Sequence, residues 1–475
     1  MGSVSVACLL TLSLFASSEL HAQFGFTEAF AAAEFASRRA AVMDRIGDGI
    51  AVVQGAAELP ASAVFRQNKQ FFYLTGVEVP RGVLVLDGRR RSSTLYLPSK
   101  NEREERNTGP IIGPDESSRQ LTGIENVLPR DSLMPTLHRL ARQNRPIFAP
   151  FRPEVQLEGG YASHSRAFAA ANMSDPLDGR ISREQVLVDR LRELSGRDVE
   201  DLDPILDRMR VIKSSAEIAA IREASRIAEL GIMEAMRSAR PGMYEYELAA
   251  VADYEFRRHG SQGFGYTALV ATGTNAAWPH YRYGKSKLGA NDLVLFDYAP
   301  DWNYYTSDVT RMFPANGRFT PRQREMYTIY LRLYQALGSS IKTKVAPRDI
   351  IKEAVGKMDK IMSEFRFTDP KIKEAAERFV SSYRDNQTRN SLGHMVGMEV
   401  HDVSVPFETL QPGMVFTIEP ALTIPDERIY IRLEDVFLIT ETGVENLSTV
   451  APEEPEAIER LMRENGIGKR TAVVP

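Results

Sequence analysis

Apolar and polar positions divide the chain into two stretches of different texture. From about Glu28 to Ser195, short apolar runs alternate with helix-spaced segments. Ile50-Ala51-Val52-Val53 and Val83-Leu84-Val85-Leu86 predict strands, the second leaving through the turn Asp87-Gly88. The pattern over Ser182 to Leu194 predicts a helix, and the acidic, turn-rich stretch from Gly196 to Asp207 reads as a domain boundary. Beyond it, the capping box Ser214-x-x-Glu217 precedes apolar positions Ile218, Ile221, Ile227 and Met233, which predicts a helix ended by Arg240-Pro241-Gly242. A second helix is predicted over Tyr244 to Arg258, with strands near Ala268–Ala271, Leu293–Asp297 and Tyr305–Thr310. Helices from Pro321 to Ser339 and from Pro347 to Phe365 follow, then strands Val415–Glu419 and Ile429–Leu438 behind the turn Pro412-Gly413. The order helix, helix, strand, strand thus occurs twice, as expected of two related halves.

Composition narrows the function classes. With 475 residues, 43% hydrophobic and 26% charged, the chain has the make-up of a globular protein of two to three domains. A net charge of −4 with no basic block excludes a nucleic-acid partner. The apolar run Val4 to Ala16, followed by Ser17-Ser18-Glu19-Leu20-His21-Ala22-Gln23, has the form of a secretory signal peptide over 1–22, cut after Ala22. The run is shorter than the ~18–20 apolar residues of a span, so no membrane contact is expected beyond this segment, and the expected location is periplasmic or secreted. The one cysteine, Cys8, lies inside it, so disulfides, thiolate nucleophiles and Cys-ligated metals are excluded from the mature chain. The mature protein is expected to hold a domain over 23–200 and a second over 207–465.

Four acidic residues stand where strands end. Leu293-Val294-Leu295-Phe296 runs into Asp297, and Asp308 follows eleven residues later; Thr417-Ile418 runs into Glu419, and Ile431-Arg432-Leu433 into Glu434 fifteen residues on. Strand alternation puts Arg432 and Glu434 on one face. Singly, each reads better as a strand end at the surface. Together, several carboxylates in one core repel and stay ionised only beside a cation. His280, His394 and His401 lie near these strands in sequence, whereas His138, His164 and His259 read as ordinary core or surface residues. Four carboxylates and one imidazole form an oxygen-rich set with room for two divalent ions, Mn²⁺ favoured by ligand hardness over thiolate metals, with Co²⁺, Fe²⁺ and Zn²⁺ also compatible. Two ions ~3.5–4 Å apart hold a bridging hydroxide and clamp a tetrahedral intermediate.

The segments Phe296-Asp297, Ser307-Asp308-Val309-Thr310-Arg311, Leu392-Gly393-His394, Val400-His401-Asp402, Thr417-Ile418-Glu419-Pro420 and Ile431-Arg432-Leu433-Glu434-Asp435 resemble the pita-bread metallopeptidases, and within them the Xaa-Pro aminopeptidase (aminopeptidase P) and prolidase branch. Trp278-Pro279-His280-Tyr281 falls where that family places a catalytic His-Tyr, and Phe65-Arg66-Gln67-Asn68 with Phe72-Tyr73-Leu74-Thr75-Gly76 looks like its amino-terminal domain. The resemblance implies an α+β protein, a pita-bread (creatinase/aminopeptidase) catalytic domain behind a smaller α/β domain, commonly assembled as a homodimer or larger homo-oligomer. It implies that Asp297 binds one metal, Asp308 and Glu434 bridge two, and His394 with Glu419 completes the second. Glu419 is implied as the base, His280 as the group protonating the leaving proline nitrogen, and His401 as the oxyanion stabiliser. Arg432 is implied to orient a bridging carboxylate or to bind substrate.

The expected activity is removal of the N-terminal residue from peptides with proline second. An Xaa-Pro bond is a tertiary amide without N–H, so it needs a site shaped for the ring. The alternatives are an Xaa-Pro dipeptidase (prolidase) and a non-hydrolytic relative, creatinase-like or a pita-bread peptide-binding protein. Departures from the family pattern fall at Asn390, where a second His is common, and at Tyr298, Ser404, Ala421 and Asn107-Thr108-Gly109, and they bear on specificity more than on metal binding.

Overall fold

The computed structural model describes residues 25–59, 64–154, 162, 164–385 and 391–469. The apolar leader and Asn390 lie outside the described residues. The first domain is built on a six-stranded mixed sheet in the order Asn126–Pro129, Ser92–Leu97, Val83–Asp87, Ile50–Gln54, Ile147–Ala149, Glu200–Asp201. Ile50–Gln54 and Val83–Asp87, both legible as apolar runs, pair antiparallel at its centre, Val52 opposite Val85. The last strand lies inside the stretch expected to be a boundary. Glu200–Asp201 pairs parallel with Phe148-Ala149, and the helix Asp203–Val211 follows directly, so the acidic composition there marks a sheet edge and a helix start.

The motif Arg66-Gln67-Asn68 has a local reason. The Asn68 side chain accepts hydrogen bonds from the amides of Gln70 and Phe71, capping the helix Lys69–Thr75. Gly76 ends that helix at φ 66, the left-handed region that a side chain would strain. Buried Gln67 ties the turn to neighbouring backbone, accepting from Ala56 N and donating to Val77 O and Val79 O.

The second domain opens with the helix Ser215–Ser238, whose Ser214/Glu217 capping box forms as predicted, packed against Glu245–Arg258. Two three-stranded sheets follow. One has the order Thr310–Pro314, Leu293–Asp297, Leu269–Thr272; the other Val415–Ile418, Asp435–Ile439, Val444–Asn446. They are joined where Thr310 and Glu434 exchange both backbone hydrogen bonds, Thr310 N to Glu434 O at 3.3 Å and Glu434 N to Thr310 O at 3.1 Å.

Two predicted strands need correction. The strand expected at Tyr305–Thr310 begins only at Thr310, leaving Asp308 on the connector before it. The single strand expected over Ile429–Leu438 is two, Ile429–Arg432 and Asp435–Ile439, in different sheets. The break at Leu433-Glu434 is held by the Tyr330 hydroxyl, which accepts from Leu433 N at 2.7 Å and donates to Pro420 O at 2.6 Å.

Arg311 locks the junction of the halves. Its buried guanidinium donates to Asp435 Oδ1 at 2.7 Å, Ser448 O at 2.8 Å, Glu434 O at 2.9 Å and Thr310 O at 3.0 Å. Asp435, equally buried, also accepts from Tyr334 and Ser448. Removing one partner of such a pair leaves a buried charge uncompensated, so Arg311→Ala is expected to cost about 3–5 kcal/mol, read as the loss of unfolding free energy in urea.

Candidate metal centre

Strand geometry and one close backbone approach bring the five expected ligands together. Asp297 closes the strand Leu293–Asp297, with Thr310 opposite it on one side and Leu269 on the other. Asp308 lies two residues before Thr310. Glu419 follows the end of Val415–Ile418, and Glu434 sits in the strand break. His394 is presented by a turn in which a Cβ on Gly393 would meet Thr417 O at 1.8 Å, so only glycine fits there, and Thr417 N donates to His394 O at 2.9 Å.

The ligand atoms form triads within 4.8 Å: Asp297–Asp308–Glu434, His394–Glu419–Glu434, and Asp308–His394–His401. Glu434 and Asp308 each belong to two of them. His394 Nε2 is shielded from solvent and has no hydrogen-bond partner, while carboxylate oxygens of Asp308, Glu419 and Glu434 stand at 3.3, 3.5 and 3.9 Å. A buried imidazole nitrogen aimed at three carboxylates outside hydrogen-bond geometry is the arrangement a cation fills. The donor set therefore fits divalent metal, with hard oxygen donors dominant.

The remaining lone pairs are supported by neighbours. Glu434 accepts from the hydroxyls of Thr310 and Thr417, both at 2.8 Å. Arg432 forms an ion pair with Asp297 and reaches Glu419 at 3.2 Å. The Tyr266 hydroxyl donates to Asp297 at 2.6 Å and to Asp308 at 2.9 Å. Burial, with the two carboxylates beside it, holds that phenol's pKa well above the usual range, so it stays a donor. Sequence reasoning missed Tyr266 because it stands in a loop with no motif around it.

His401 stacks on His394, ring centroids 3.7 Å apart and planes 14° off parallel. Burial, then the charges of His394 and His280, pushes its pKa down to about 4, so it is neutral at pH 7. His280 is exposed, on the loop between Leu269–Thr272 and Leu293–Asp297, within electrostatic reach of His401. That loop is anchored by Glu245, a fully buried carboxylate that accepts from Thr272 N, Asn275 Nδ2, Tyr281 Oη and Ser286 N at 2.8–3.0 Å. Glu245 also escaped the sequence reading, where it looks like an ordinary first-turn acid. The structure thus gathers Asp297, Asp308, His394, His401, Glu419, Arg432 and Glu434 in one cluster with His280 at its rim. His259 instead caps its own helix, with Nδ1 at 2.8 Å from Glu255 O. Beside the cluster opens a cavity of about 230 Å³ walled by Leu392, Met395, Phe407, Leu410 and Phe416, with His394 and His401 on one side.

Comparison with known proteins agrees with this geometry. Residues 219–441 match the family model for metallopeptidase family M24, and residues 35–148 that for the aminopeptidase P N-terminal domain. The chain is 31% identical over 456 residues to an Xaa-Pro aminopeptidase of Escherichia coli (strain K12), covering 90% of this chain and 97% of that one. The chain belongs to the aminopeptidase P branch of metallopeptidase family M24. A solved structure of E. coli aminopeptidase P with the inhibitor Pro-Leu superposes with TM-score 0.70 at 28% identity, covering 91% of this chain and 98% of that one. Proline aminopeptidase P II from Yersinia pestis gives 0.71 at 30%, covering 91% and 100%. The fold is the two-domain pita-bread architecture, and the protein is a metallopeptidase that uses divalent metal.

Metal-free electrostatics give a signed prediction. Burial first, then the neighbouring Asp308, raises the Asp297 carboxyl to about 7; burial with Asp308 and Glu419 raises Glu434, and the facing carboxylates raise His394. Groups with raised pKa bind more protons folded than unfolded, so stability falls as pH rises through the folded values. Glu419 is held low by His394 and Arg432 against the cost of burial, and its contribution is lost only in acid. The chelated protein is therefore expected to lose Tm between pH 5 and pH 8, and saturating Mn²⁺ to remove that loss; scanning calorimetry at both pH values, with and without metal, checks it.

Proposed function

We propose that the protein is an exported Xaa-Pro aminopeptidase that holds two divalent ions, Mn²⁺ by the hardness of its donors, and removes the N-terminal residue from peptides with proline second. The observation that carries the reading is the orphaned His394 Nε2 among three carboxylates, beside an apolar cavity of a kind that suits a pyrrolidine ring. The E. coli relative named Xaa-Pro aminopeptidase, matched along nearly its full length, supports the substrate class. The leader Val4–Ala16 supports export to the periplasm or beyond. A homodimer or larger homo-oligomer belongs to the same proposal, on the strength of the family resemblance.

In this reading Asp297, Asp308, His394, Glu419 and Glu434 would hold the two ions. When bound, the ions supply Lewis acidity and a nucleophile at neutral pH. Glu419, kept ionised by His394 and Arg432, takes the proton of the attacking water. Arg432 fixes the carboxylates of Asp297 and Glu419 in one orientation. His401, neutral and stacked on His394, donates a hydrogen bond to the carbonyl oxygen as charge develops there. His280, on the loop held by Glu245, gives a proton to the leaving proline nitrogen.

Three outcomes are expected. With Mn²⁺, an Xaa-Pro-Yaa tripeptide is cleaved before proline and a chelator stops the reaction, followed by product release; cleavage of an Xaa-Pro dipeptide alone identifies a prolidase, and no cleavage with any divalent metal a binding protein. Glu434→Ala loses activity while keeping its far-UV circular dichroism; full activity in that variant overturns the dinuclear mechanism. His401→Ala lowers kcat by about 10²–10³-fold with metal content unchanged.

A further inference from the structure

The connector 298–307 links the ligand Asp297 to the ligand Asp308, and its tip is held by the first domain. The Tyr304 ring lies between Phe72, stacked at 3.7 Å, and the Arg66 guanidinium, 3.8 Å from the ring centroid. The Tyr304 hydroxyl accepts from Gln67 N at 2.9 Å. Arg66 also bonds Asp301 at 2.5 Å, and the same Asp301 oxygen accepts from Tyr304 N at 3.1 Å. Arg66 and Gln67 come from the turn that caps the helix Lys69–Thr75, and Phe72 from the helix itself. Next door, Tyr305 donates to Glu217 at 2.9 Å and packs on Phe30.

The tip is a two-residue turn: Asn303 and Tyr304 lie at φ 52 and φ 70, and Trp302 and Tyr305 on either side exchange backbone hydrogen bonds at 2.8 and 3.1 Å. Asn suits the first place, whereas a bulky aromatic in the second, where glycine is usual, is held by what surrounds it. The two ligands depend on it unequally. Asp297 is paired by strands on both sides, whereas Asp308 follows the connector, steadied through Thr306 N to Gly397 O, Ser307 to Ser225 and its own contact with the Tyr266 hydroxyl.

We propose that Arg66, Asp301 and Tyr304 form an interdomain latch that positions Asp308 for metal, so that the first domain sets metal affinity without contributing a ligand. The inference rests on the metal-centre reading above. Without the latch the turn, still closed by Trp302 and Tyr305, shifts as a unit, and the connector delivers Asp308 to Glu434 and His394 in several orientations.

Mn²⁺ titration of the full chain by isothermal calorimetry tests it. Arg66→Ala and Asp301→Ala are each expected to raise the Mn²⁺ Kd about tenfold with the far-UV spectrum preserved. Arg66→Lys, which keeps a cation over Tyr304 and towards Asp301, is expected to return the Kd to within about threefold of the original chain. Should Arg66→Ala fail to fold, Asp301→Ala carries the same expectation. Kd values for both alanine variants within about twofold of the unaltered chain, or Arg66→Lys no tighter than Arg66→Ala, overturn the latch. An unaltered chain that takes up no Mn²⁺ overturns the metal-centre reading itself.

Discussion

Four carboxylates share one interior, and every neighbour of the cluster answers the repulsion among them. Asp297, Asp308 and Glu434 are almost wholly withdrawn from water, and Glu419 is only partly open. Isolated ionised carboxylates in such surroundings are costly, and they persist only when paired, hydrogen-bonded or bound to metal. Arg432 supplies a permanent positive charge beside them. The hydroxyls of Tyr266, Thr310 and Thr417 supply donors, which orient oxygens without neutralising them. Divalent ions close the remaining gap, so the arrangement that looks least favourable as a core is the one that makes a strong metal centre.

The same constraint explains why the acidic cluster was legible in the sequence. Apolar strands run straight into Asp297 and Glu419, and two such pairs in order point to metal binding more strongly than to strand ends at the surface. Strand boundaries were less legible. Asp308 and Glu434 looked like strand residues because strand-forming stretches run on past them, Val309 to Phe313 and Val436 to Leu438, yet both sit in breaks, one before its strand and one between sheets. Those breaks are fixed by tertiary partners such as Tyr330 and Arg311, which carry no local signature. Tyr266 and Glu245 were invisible for the same reason. Each acts through groups far away in sequence, Tyr266 on Asp308 across 42 residues and Glu245 on Ser286 across 41.

The first domain shows the opposite case. Its Arg66-Gln67-Asn68 motif was visible as part of a family resemblance, but its physical purpose was not. In the structure Asn68 and Gln67 build a rigid capped turn, and that rigidity lets Arg66 and Phe72 grip an aromatic ring from the other domain. Arg suits this position because its planar guanidinium faces the ring and reaches a carboxylate at once, which a lysine ammonium does less well.

The backbone bridge between Thr310 and Glu434 spans 124 residues of chain, and the metal centre straddles it. Asp297 and Asp308 belong to one half of the catalytic domain and Glu419 and Glu434 to the other. On a ribosome adding about 5–20 residues per second, the early acids are synthesised well before their partners. A growing chain therefore has only one half of the acidic cluster until Glu434 has been made. Assembly of the cluster is in this way deferred until both halves exist, and a chain cut short before Glu434 is left without its later acids.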